Sequence, residues 1–136
     1  MRAVALVLNV LDIRRTAVDP EQVWGFSIDF VRPGDPGVAY AIVVGGWVLS
    51  RSCPAAAILL ASNGTAFHQV RLGVPRPDIA ALYPEVAWAG ESGFYAGASV
   101  PGVTPEIDIY VDVTLYSGNR ISLGVLHAQR SWRDSQ

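Results

Sequence analysis

The sequence contains no lysine. All ten basic residues are arginine, and they stand against twelve acids for a formal net charge of -2. Charged residues make up 16% of the 136 positions, below the usual share of about a quarter. Arg14 and Arg15 form the lone adjacent basic pair. That leaves no phosphate-binding stripe and argues against a nucleic-acid partner. Sparse charge also hints that part of the surface is covered by a second copy or a neighbouring domain.

Cysteine is nearly absent too. Cys53 stands alone, which rules out an intrachain disulfide and a cysteine zinc cluster. It reads as a small, buried or half-buried residue. His68 and His127 are far apart and have no HExxH spacing, so no metal site is expected. No P-loop, no G-x-G-x-x-G fingerprint and no G-x-S-x-G elbow occurs, so neither a cofactor nor a nucleophile is expected. Long apolar runs are missing as well. "MRAVALVLNVLDIRR" is too short to cross a bilayer. It has no small-residue cleavage site, and Asp12 and two arginines follow it. It reads as a first strand, with no transmembrane segment and a cytoplasmic location as the expectation.

What is abundant is apolar residue at a period of two. Hydrophobic residues are 51% of the chain, and the length suits one domain spanning 1–136. "VWGFSIDFV" alternates, which predicts Trp24, Phe26, Ile28 and Phe30 on one face and Gly25, Ser27 and Asp29 on the other. "RPGDPG" is a turn signal. "VAYAIVVGGWVLS" is a further strand, its Gly45-Gly46 marking a bulge, a bend or a close backbone approach. Asn63-Gly64 predicts a tight hairpin of 55–62 with 65–72. The clearest alternation is "EIDIYVDVTL", with Ile107, Ile109, Val111, Val113 and Leu115 on one face and Asp108, Tyr110, Asp112 and Thr114 on the other. "SGN" turns it into "RISLGVLHA", where Ile121, Leu123 and Val125 are expected to pack. Residues 128–136 are expected to form a mobile tail. The pattern predicts an all-β, antiparallel sandwich of seven or eight strands with at most one short helix.

That helix is expected at 78–83, inside "GVPRPDIAALYPEV", with Asp78 as its N-cap and Pro84 as its stop. Pro77 holds Arg76 extended, and Arg76 is expected to brace the fold by pairing with a carboxylate or with strand carbonyls. Trp24 and Trp47 are expected in the core. Trp88 is open between surface and interface, and Trp132 is expected to contact another domain or copy. Asp78, Glu85, Glu91, Asp108 and Asp112 supply carboxylates for glycosidic chemistry or for a cation, but a solvated sheet face explains Asp108 and Asp112 more simply.

Several of these residues recur together. Gly46-Trp47, Arg76-Pro77-Asp78, Tyr83-Pro84, Ser92-Gly93-Phe94 and the hairpin "YSGNRISLG" form a joint pattern over residues 22–127. It resembles a small immunoglobulin-like β-sandwich domain appended to bacterial glycosyltransferases, sulfotransferases and related surface-polysaccharide enzymes. The resemblance implies a non-catalytic accessory role, with a glycan or a polysaccharide-enzyme domain as partner. It implies no catalytic residue. Three readings compete: an accessory module that binds glycan, a structural domain that forms homo-oligomers or other protein contacts, and a small enzyme. For glycan contact the candidates are Trp88 stacking on a sugar face, with Tyr95 and Arg76 hydrogen-bonding beside it. Phe94 would then pack inward while Tyr95 reaches solvent.

Overall fold

In a computed structural model that describes residues 3–33, 41–102 and 104–135, the chain is an eight-stranded antiparallel β-sandwich. The strands are β1 (Ala3–Arg15), β2 (Val23–Pro33), β3 (Ala41–Ser50), β4 (Ala55–Ser62), β5 (Thr65–Arg71), β6 (Gly93–Ser99), β7 (Glu106–Leu115) and β8 (Arg120–Ser135). One helix, α1 (Pro77–Leu82), and one 3-10 turn at Ala89–Glu91 lie between β5 and β6. The larger sheet has the order β1-β8-β7-β4-β5 and the smaller β2-β3-β6. Leaving out β1, the layers have four strands and three, with β5 beside β4 in the larger. β1 is an addition, laid beside β8. The described helix is not long and apolar enough to cross a membrane.

The core lies between the sheets. Ile107, Ile109, Val111, Val113 and Leu115 all enter it, as their alternation predicts. Facing them are Val23, Ile28, Ile42, Val44, Val48 and Phe94. The Asn63-Gly64 hairpin also forms as expected, with both residues at positive φ (50° and 77°). The turn expected at "RPGDPG" and the start of the following strand fall largely outside the described residues.

Alternation fails wherever a bulge intervenes, because one extra residue moves every later side chain to the opposite face. β2 slips against β3 at Trp24 and again at Asp29. The face expected to hold Trp24, Phe26, Ile28 and Phe30 is therefore split. Ile28 is buried and Phe26 packs on the core, while Trp24 and Phe30 turn outward. Trp24 lies under the Arg51 guanidinium, 4.1 Å from its ring centre, and beside Tyr83. Trp47 is half-buried on the outer side of the smaller sheet rather than between the sheets. β8 slips at Leu123, so Leu126 and Ala128 enter the core and Val125 faces out.

The tail expected over 128–136 is the second half of β8 as far as Ser135, paired with β1 back to Ala3. Within it Arg130 is buried and donates to the carbonyls of Pro101 and Thr104. The contact expected of the Trp132 side chain lies outside the described side chains.

The Gly45-Gly46 pair answers the second bulge of β2. A Cβ at Gly46 would sit 2.0 Å from the Ser27 carbonyl oxygen, so the two backbones meet where no side chain fits. The Phe30 ring lies over Gly45. Gly46→Ala is expected to cost roughly 2–3 kcal/mol through forced backbone movement. Gly97→Ala, whose Cβ would meet only Val43 at 3.7 Å, should stay within about 0.5–1 kcal/mol of the parent. Urea denaturation of the two variants measures the difference.

Candidate functional site

The open face of the larger sheet carries a built polar surface. β7 is its middle strand, and with its aliphatic side chains in the core it presents Glu106, Asp108 and Tyr110 to solvent. Register decides what stands beside them. The bulge in β8 turns Val125 and His127 outward, and a bulge at Leu11 in β1 puts Asp12 and Arg14 on the same side. Two rows then cross the strands. One reads Asp12, His127, Asp108, and the next reads Arg14, Val125, Tyr110, Ala61.

The second row makes the relief. Tyr110, 41% exposed, is flanked by the smaller Val125 and Ala61. A large ring between short neighbours leaves a trough on each side. One, of about 310 Å³, is walled by Asp12, Arg14, Asp108 and His127. The other, of about 400 Å³, is walled by Asn63, Asp108, Asp112 and Arg120. Tyr110 is the ridge shared by both.

The polar groups along the troughs are tied to one another. His127 Nδ1 lies 2.7 Å from Asp108 Oδ1, and Nε2 lies 3.8 Å from Glu106 Oε2. The hydrogen bond to Asp108 raises the imidazole pKa above its ordinary 6.5, helped by the charges of Asp108, Glu106 and Asp12 and opposed by partial desolvation. Arg120 Nε donates to Asp112 Oδ2 at 2.8 Å. Asp112 is buried, and its Oδ1 has no hydrogen-bond partner among the described residues. Arg120 remains exposed and lines the trough with its Nε held by Asp112. Among the described residues no group of three or more His, Cys, Asp or Glu is arranged to hold a metal ion.

The three residues nominated from sequence for ligand contact lie elsewhere and have separate partners. Trp88 is half-buried and donates its indole N–H to the Ser50 carbonyl at 2.9 Å. It packs in a small cluster with Leu49, Ile79, Ala89 and Tyr83, through which the connection between β5 and β6 covers part of the smaller sheet. A ring held this way anchors the connection, and its remaining surface lines a small cleft of about 130 Å³ beside Glu91 and Tyr116. Tyr95 does reach solvent, opposite the buried Phe94 as expected. Its hydroxyl accepts from Arg32 at 3.1 Å, and its ring lies 6.1 Å from Phe30.

Arg76 is the brace its sequence context suggests. Its Nε and Nη2 grip Asp78 at 3.0 and 2.8 Å, and Nη1 reaches Asp29, in the β2 bulge, at 2.7 Å. Asp78 is not the N-cap. Pro77 takes the first helical position, Arg76 is the cap residue without a side-chain cap bond, and Asp78 falls in the first turn. The Arg76 hydrogen bond lowers the Asp78 pKa to about 2. Gly93 permits the close passage of this brace, since a Cβ there would lie 2.9 Å from Arg76 Cγ and 2.6 Å from the Val74 carbonyl oxygen.

Sequence alternation did place Asp108, Tyr110 and Asp112 on one face. Arg120 follows from the plain hairpin register opposite Thr114. Alternation gave no sign of Asp12, Arg14 or His127 as neighbours, because bulges bring those in and a bulge leaves no local mark in composition.

Arg76→Ala is expected to lower stability by about 1 kcal/mol, discounted for solvent exposure of its partners, and Arg76→Lys should not restore it because lysine lacks the fork. The Asp78 contribution is present above its ordinary pKa of 3.8 and is lost as pH falls through about 2. Acid titration of the wild type against Arg76→Ala checks the sign. Trp88→Ala should cost about 2–3 kcal/mol, below the range for a fully buried ring, while Trp88→Phe should cost about 1 kcal/mol for the lost hydrogen bond. Chemical denaturation separates the two.

Comparison with known protein families, with curated proteins and with solved structures finds no match to this chain.

Proposed function

We propose that this domain is a non-catalytic module that binds saccharide across the open face of its larger sheet, as an accessory to surface-polysaccharide enzymes. The observation that carries the reading is the Tyr110 ridge between two troughs of about 310 and 400 Å³. An aromatic ring offers a flat apolar face and a polar tip, which suits the C–H face and the hydroxyls of a sugar. Arginine, aspartate and asparagine around it supply planar donors and acceptors at fixed angles.

The charges favour a neutral, polyhydroxylated ligand. Arg120 is paired with Asp112 and His127 with Asp108, so the troughs offer directional hydrogen bonds, and with Asp12 and Glu106 beside them no net positive charge to draw an anion. The same pairings favour binding over hydrolysis. Asp108 and Asp112 sit four residues apart on an extended strand, about 13 Å between their Cα atoms. A glycosidic acid pair needs carboxyl groups about 5–9.5 Å apart across the bond, and each of these carboxylates already has one oxygen on its own basic partner, Asp108 on His127 and Asp112 on Arg120.

A glycan array paired with sedimentation velocity tests the reading. Wild type should bind saturably as a monomer. Tyr110→Ala should weaken binding about tenfold or more by removing the stacking surface, with its far-UV circular dichroism unchanged. Tyr110→Phe should retain binding, and so should Tyr95→Ala on the opposite sheet. Absence of saccharide binding together with a Tyr110-dependent dimer would replace this reading with homo-oligomeric assembly.

A further inference from the structure

The row Asp12, His127, Asp108 joins three strands. β1 is the edge strand, and β8 is its ladder neighbour in the sheet. Asp12 stands directly opposite His127, and His127 directly opposite Asp108. Side chains directly opposite on one face have Cβ atoms about 4.5–5.5 Å apart, close enough to interact. An imidazole therefore sits between two carboxylates, one from the edge strand and one from the middle strand.

The charged groups around the ring come from both flanking strands. β7 contributes Asp108 at 2.7 Å from Nδ1 and Glu106 at 3.8 Å from Nε2. β1 contributes Asp12 opposite the ring, and Arg14 one row along, opposite Val125. Asn63 and Thr104 complete the surroundings and are neutral. Three carboxylates thus converge, with Arg14 and the imidazole as the nearby bases.

We infer that this row is a proton-operated clasp, in which charged His127 ties edge strand β1 to β7 across β8 and loss of the proton loosens β1. With both nitrogens protonated, the ring donates to Asp108, faces Glu106 as a cation and attracts Asp12. With one proton, Nδ1–H keeps Asp108, and Nε2 turns a lone pair toward the Glu106 carboxylate. Asp12 then faces an uncharged ring with two further carboxylates beyond it. The carboxylates on either side of β8 then repel with no positive ring between them to offset it.

The sign follows from the direction of the imidazole shift. The folded-state value is raised above 6.5, so the clasp is fully closed below that ordinary value and opens as pH rises through the folded one. The inference does not rest on saccharide binding, and its test needs only the protein itself. For the binding face it has a consequence: Nε2 changes from donor to acceptor in the wall of one trough.

The experiment is a ring-resonance NMR titration of His127 in the full chain, joined to amide-exchange protection factors for β1 between about pH 5 and 8. His127 should titrate above 6.5 and move downward in Asp108→Asn. Protection of β1 should fall about two- to fivefold across the range in wild type, the size that exposed ion pairs support. That fall should vanish in His127→Gln and shrink in Asp12→Asn, the second variant covering the case in which the first does not fold. Titration of His127 at or below 6.5 in the wild type overturns the clasp. So does a protection profile with the same pH dependence in wild type and in the variant that folds.

Discussion

Burial of one face of β7 is the constraint from which the rest of the molecule is set. Ile107, Ile109, Val111, Val113 and Leu115 leave the strand no freedom of register, since a slip of one residue would expose all five. β7 lies in the middle of the larger sheet, with β8 and β1 on one side and β4 and β5 on the other. Once its aliphatic side is inward, Asp108 and Tyr110 must point to solvent. The candidate site is therefore a by-product of core packing on the strand that has the least choice.

The two sheets treat their outer faces differently. On the smaller sheet the connection between β5 and β6 folds back, and Ile79, Tyr83 and Trp88 pack with Leu49 and Trp47 into a second, minor cluster. Arg76 fastens this cover to the bulge of β2 through Asp29. On the larger sheet the outward positions are short or charged, and they form the troughs beside Tyr110. The arginine-proline-aspartate element thus serves closure of one face, while the other is left open.

Most of the strands, the tight hairpin and the short helix were legible because each is written locally, whereas the second half of β8, expected as a tail, was not. Five alternating aliphatic residues mark β7, and Asn63-Gly64 marks the turn between β4 and β5. The site was less legible, because it is assembled from positions brought together by slips at Leu11 and Leu123. Apolar residues occupy both bulges, so nothing in the local pattern announces them. Aromatic placement was no easier to read. Trp88 donates its indole N–H to Ser50 and packs in the small outer cluster. Trp24 has the spacing of a core residue, but the bulge at its own position turns it outward.

The pairing of β1 with β8 sets an order on assembly. Asn9 and Ser131 meet across the ladder although they stand 122 positions apart. Of the eight strands β1 is synthesised first, and the strand that completes it is synthesised last. Closing so long a loop comes late, after the seven-strand sandwich can supply a template. In the interval a strand rich in valine and leucine has no ladder partner, which exposes a nascent chain to mispairing. Slower synthesis anywhere between the two strands lengthens that interval, so the exposure of β1 is set by the whole of the intervening chain.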